Sequence, residues 1–164
     1  MRVRSSPLTA NFVRCFACAV LGIAYAALGI ACAGNGTGPG GVDLRTVADT
    51  ARGMVGAPYR YGGSTPRGFD CSGLVVYSYA QAGAPGLPHS ARALERRAQP
   101  VGISKLRLGD LLFFRLDGKK TTHVGIYVGD RSFVHAPSSG KKVERVSFDH
   151  IYWGPRLKYA GRLE

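Results

Sequence analysis

The sequence predicts an α+β domain, with N-terminal helices packed on an antiparallel β-sheet meander. Two observations carry this. Before residue 100 the apolar residues fall in capped segments at helical spacing, and after it they fall in short β-rich runs separated by turn residues. Helices first and strands after is the α+β order, whereas α/β chains alternate the two. At 164 residues the chain suits one domain with its own core.

The first 32 residues read as an address. Arg2, Arg4 and Arg14 are the only charges before residue 33, and residues 15–31 (CFACAVLGIAYAALGIA) carry none. A basic start, an apolar run and small residues make a secretory signal peptide over 1–32. A retained membrane anchor is the competing reading. Two cleavages are open: at Cys32 with lipidation of its thiol, as in a bacterial lipoprotein, or after Ala33 at an Ala-x-Ala site. Gly29 stands where lipoprotein signals usually carry Leu. Residues 33–42 then form a Gly-rich tether, and the folded domain spans 43–164.

Asp43 caps a first helix, in which Leu44, Val47, Ala48, Ala51 and Val55 recur at helical spacing until Gly56 and Pro58 end it. Residues 59–69 are dense in Gly and Pro and read as a loop. Asp70 opens an apolar helix closed by Gly83, and Ser90 to Ala98 form a short third. Strands follow at 111–114, 123–128, 132–136, 143–148 and 156–161, with turns at Asp117-Gly118, Gly129–Arg131 and Ser138–Gly140.

The formal charge is +12, from 22 basic and 10 acidic residues. Without the three N-terminal arginines, 19 basic residues still face 10 acids, about +9. Such a surface favours polyanions. The basic residues are scattered and match no nucleic-acid motif, so no nucleic-acid partner is expected. Anionic wall polymer or membrane surface fits instead.

Cysteine usage narrows the chemistry. Cys15 and Cys18 lie in the apolar run and Cys32 at the processing site, so Cys71 is the single thiol of the domain. It is either a buried, inert Cys or a reactive one. Its place at a helix start, after Asp70 and before Gly73, would stabilise a thiolate. A nucleophile also needs a base and a group to orient that base. His123 opens a strand and His135 lies on the next. A three-residue loop at 129–131 sets Gly125 opposite His135 and places both histidines on one sheet face, facing Cys71, with space at Gly125. A two-residue loop would separate them onto opposite faces. His89, His150, Trp153 and the tyrosines read as surface, core or cleft lining.

The ordered set F-D-C-S-G (69–73), G-D-L-L-F-F (109–114), T-H-V-G-I-Y-V-G (122–129) and V-H-A (134–136) resembles the NlpC-type cell-wall cysteine peptidases. P-Y-R-Y-G-G (58–63) and L-P-H-S-A (87–91) fit as well. The resemblance implies a papain-like fold and hydrolysis of an amide in peptidoglycan stem peptides or cross-links. It places Cys71 as nucleophile, His123 as general base and His135 as the orienting third residue. Tyr59 falls at the oxyanion or substrate pocket, and Asp70 and Ser72 beside the subsite for the peptide's amino end. His89 departs from the family, which often has Arg there. The expected partners are stem peptides, and a membrane through a lipid at Cys32. The chain is expected to be a monomer, exported to the periplasm or cell envelope, with no cofactor. Three alternatives stay open: a related amidase or acyltransferase, a non-catalytic wall-binding module, and a zinc site on Cys71, His123 and His135.

Overall fold

The computed structural model describes residues 41–116, 118 and 120–163. The expected signal peptide, the lipidation site at Cys32 and the tether through residue 40 lie outside the described residues, as does Asp117 of the expected turn. Among the described residues no helix is long and apolar enough to cross a membrane.

Helix α1 (Leu44–Gly53) is capped by Asp43, whose carboxylate accepts from Arg45 N at 3.0 Å and from the Thr46 hydroxyl at 2.6 Å. Leu44, Val47, Ala48 and Ala51 are buried, as their spacing predicts. Val55 falls outside the helix and is 48% exposed, because the chain leaves helical geometry at Met54. The expected loop over 59–69 contains a small hairpin, β1 (Ser64–Thr65) with β2 (Gly68–Phe69). Helix α2 (Cys71–Gln81) follows directly, and α3 (Ala91–Arg97) is capped by the Ser90 hydroxyl.

The remaining strands are β3 (Gln99–Val101), β4 (Leu111–Phe114), β5 (His123–Gly129), β6 (Ser132–His135), β7 (Glu144–Ser147) and β8 (Leu157–Arg162). They form one antiparallel sheet in the order β3-β8-β4-β5-β6-β7. Only β4 to β7 is the predicted meander. The last strand returns between β3 and β4, so the sheet closes on both sides of β4.

The β5–β6 connection reaches the predicted pairing by another route. The turn has two residues, Asp130 (φ 50°) and Arg131 (φ 49°), and their shared positive φ matches the right-handed twist of the hairpin. A register shift between Tyr127 and Gly129 absorbs one residue. Ile126 therefore stands opposite Val134 and Tyr127 opposite Phe133, the register expected from a three-residue loop.

The two sheet faces differ. Leu111, Phe113, Val124, Ile126, Val128 and Val134 pack with the three helices. Leu112, Phe114, Phe133, Phe148, Trp153 and Ala160 form a second, aromatic cluster. His123 and His135 share that second face, against Phe114, Phe133 and Trp153.

Candidate active site

Cys71 is the first residue of α2, whose start is fixed by Asp70. That carboxylate accepts from Gly73 N at 2.7 Å and the Ser72 hydroxyl at 3.0 Å, and from Gly62 N at 2.9 Å in the preceding loop. Gly73 permits this closeness, since a Cβ there would lie 1.9 Å from the Gly63 carbonyl oxygen and 2.8 Å from His89 Nε2. The room at Gly73 is thus taken by the loop and His89. Backbone N–H groups of Val124, Ser72 and Cys71 itself favour the thiolate, and Val124 follows His123 at the start of β5.

His123 Nε2 and His135 Nδ1 are hydrogen-bonded at 2.8 Å, with the rings perpendicular at 89°. Both are buried, 2% and 0% exposed. Trp153 holds the pair from one side: it stacks on His123 at 5.2 Å and sets its edge against His135 at 4.5 Å. The bond to His135 occupies Nε2 of His123 and leaves Nδ1 for another partner. The gap over Gly125 is filled by the Phe133 ring, 2.4 Å from where a Cβ would stand.

Burial sets the electrostatics. It pushes the Cys71 thiol up to about 11 against the backbone N–H groups that favour the thiolate. It pushes His123 down to about 4, partly opposed by Asp70, and His135 down to about 2. Each single charge is disfavoured because it leaves water alone.

The thiol opens on a cleft of about 390 Å³, lined by Tyr59, Asp70, Ser72, His89 and Thr122 among others. Of the six residues singled out in the sequence, Tyr59, Asp70, Cys71 and Ser72 line the cleft, and His123 and His135 form a bonded pair on β5 and β6. Burial and, secondarily, Cys71 and Asp70 raise the Tyr59 phenol. Burial would raise Asp70, but the bonds from Gly73, His89 and Ser72 outweigh it and hold the carboxyl low.

His89 was read as an ordinary loop residue, and this is corrected. Its Nε2 lies 2.9 and 3.0 Å from the two Asp70 oxygens, inside the cleft. The zinc alternative loses its geometry, because Nε2 of His123 and Nδ1 of His135 point at each other. Among the described residues no group of three His, Cys, Asp or Glu side chains is arranged to hold a metal ion.

Residues 56–162 match the model of the NlpC/P60 family. A probable endopeptidase of Mycobacterium tuberculosis is 47% identical over 112 residues, covering 68% of this chain and 28% of its own length. The murein DD-endopeptidase MepH of Escherichia coli is 45% identical over 104 residues, 61% of this chain and 38% of MepH. The crystal structure of the NlpC/p60 domain of the peptidoglycan hydrolase SagA superposes with a TM-score of 0.64 at 30% identity, covering 74% of this chain and all of that domain. The chain thus spans well under half the length of these two curated relatives. It belongs to the NlpC/P60 family.

Proposed function

We propose that this chain is an exported cysteine peptidase that hydrolyses an amide bond in peptidoglycan stem peptides or their cross-links. The observation that carries the reading is the Nε2–Nδ1 bond between His123 and His135, which leaves His123 Nδ1 unengaged by its partner, together with a helix-start thiol that lines an open cleft. The names of the relatives, a murein endopeptidase and a peptidoglycan hydrolase, support the substrate class.

In this reading His123 takes the Cys71 proton as the sulfur attacks the amide carbonyl. His123 then gives that proton to the leaving amine, and the acyl group stays on sulfur. Water, deprotonated by His123, hydrolyses the thioester, and the proton returns to Cys71. His135 orients the His123 ring. The Cys71 N–H and the Tyr59 hydroxyl are the donors for the oxyanion. Asp70 has both oxygens engaged within the protein, so it contributes by fixing the start of α2, with Ser72 and His89 shaping the adjoining subsite. Residues 1–32 act as the export signal, with lipidation at Cys32 as its membrane-anchoring form, and residues 33–42 tether the domain at 43–164.

The test is mass spectrometry of purified peptidoglycan after incubation with the protein and with Cys71→Ala. We expect new fragments from the wild type only, with Cys71→Ala reduced by roughly 10³-fold or more. Unchanged muropeptides from a folded, thiol-reactive wild type would move the assignment to another acyl substrate.

A further inference from the structure

We propose that Glu144 is a positioning residue: through His135 it selects the ring tautomer of His123 able to accept the Cys71 proton. This rests on the cysteine-peptidase reading of the site. The motifs that mark the family do not contain Glu144.

One proton lies between His123 Nε2 and His135 Nδ1, and it can belong to either ring. If it belongs to His123, the His123 Nδ1 lone pair faces outward and can take the thiol proton. Neutral His135 then carries its own proton on Nε2. If the shared proton belongs to His135, the His123 proton sits on Nδ1 and the ring cannot act as a base toward Cys71. The Nε2 of His135 then bears a lone pair. The far nitrogen of His135 therefore reports, and can dictate, which tautomer His123 adopts.

That nitrogen is buried, with His135 wholly inaccessible to solvent. The Glu144 Oε1 atom lies 3.2 Å from it. Among the described residues His135 Nε2 has no partner in hydrogen-bond geometry, and this carboxylate lies within reach of it. The fold builds the contact in, because β6 and β7 pair with His135 directly opposite Glu144. A carboxylate attracts an N–H and repels a lone pair, so Glu144 favours the tautomer in which His123 is a base. A small turn of the half-exposed Glu144 side chain would align the contact, as catalytic hydrogen bonds tighten on substrate binding.

Other charges near Glu144 are accounted for. Lys141 shares with it a pocket of about 240 Å³ also lined by Ser138, Tyr152 and Trp153. The neighbouring Arg145 turns instead to Asp130, at 3.2 Å. Lys141 is exposed, whereas His135, which meets the carboxylate, is buried.

The test compares the wild-type chain with Glu144→Leu and Glu144→Gln. Ring ¹⁵N NMR reads the tautomers without any substrate. Wild type should carry the proton on Nε2 of both His123 and His135, and Glu144→Leu should show a mixture. Alkylation of Cys71 by iodoacetamide should slow roughly tenfold in Glu144→Leu, the low end of what outer-shell partners contribute. The muropeptide kcat should fall with it while KM stays. Glu144→Gln should fall between the two, since its amide can serve either tautomer. Its near-isosteric side chain keeps the test open should Glu144→Leu not fold. Unchanged tautomers and alkylation rates in both variants would overturn the proposal. So would equal losses in both that track thermal stability alone. If the tautomers shift as expected but the wild type cuts no muropeptide, the positioning role stands and the substrate reading falls.

Discussion

Two polar pairs are buried at opposite ends of the sheet's central strands, and they are built differently. Asp110, just before β4, is fully buried and accepts from Arg162 through two bonds, Nε at 2.7 Å and Nη2 at 2.8 Å, and from Arg107 N at 2.7 Å. At the other end of β4, Phe114 pairs with His123, which bonds to His135. The first pair has every carboxylate oxygen engaged by a fixed donor. The second leaves Nδ1 of His123 outside the pair's bond and Nε2 of His135 without a well-formed partner. A saturated pair resists change and serves the fold. An unsaturated one can gain and lose a proton, which a base must do. The same sheet thus carries a clamp at one end and a proton-accepting pair at the other.

The largest effect that would test this contrast is Arg162→Met. It leaves Asp110 buried without its cation, and breaking a buried pair from one side costs about 3–5 kcal/mol. Chemical denaturation should show that loss while the folded fraction keeps its Cys71 alkylation rate. A loss below about 1 kcal/mol would mean that the clamp is not structural.

The histidine end should respond to acid instead. Burial depresses His123 to about 4 and His135 to about 2, from an ordinary value near 6.5. Below pH 6.5 the unfolded chain binds protons that the folded chain refuses, so stability present above 6.5 is lost as pH falls toward those values. Between pH 7 and 5 each ring contributes a loss of about 2 kcal/mol, roughly 4 together. Unfolding free energies that stay level across that interval would contradict the buried, neutral state of the pair. In kcat/KM the same shifts spread the limbs apart, the acid limb toward 4 and the alkaline limb toward 11.

How legible all this was depends on the range of the interaction. Caps and helical periods are local, so Asp43, Asp70 and Ser90 marked three helix starts correctly. The β5–β6 register was also readable, because the side-chain alternation leaves few choices, although the two-residue turn with its compensating bulge was not. What escaped depends on distant partners. The place of β8 between β3 and β4 comes from pairings with Leu111–Phe114 and Gln99–Val101, far earlier in the chain, and no local period encodes it. His89 looks like a loop residue until the fold brings it to Asp70, and Glu144 looks like a solvated strand residue until β7 pairs with β6.

The smallest effect separates the two faces most cleanly. Gly125 and Gly161 both stand in strands where an added Cβ meets packed atoms. At Gly125 it would lie 2.4 Å from the Phe133 ring, which is itself packed against His135 at 4.9 Å and Trp153 at 5.6 Å. At Gly161 it would lie 2.8 Å from the Ala98 Cβ and 3.2 Å from the Phe113 ring, on the helix side. Overpacking at either site should cost about 1–3 kcal/mol. Their consequences for Cys71 should differ. Alanine at 125 moves Phe133 and with it the ring that orients His123, so iodoacetamide alkylation should slow beyond what the lost stability explains. Alanine at 161 strains the opposite face, away from the histidine pair, and alkylation should stay at the wild-type rate. If the two variants lose reactivity equally, the sheet transmits strain through its whole thickness. The division into a structural face and a catalytic face would then have to be given up.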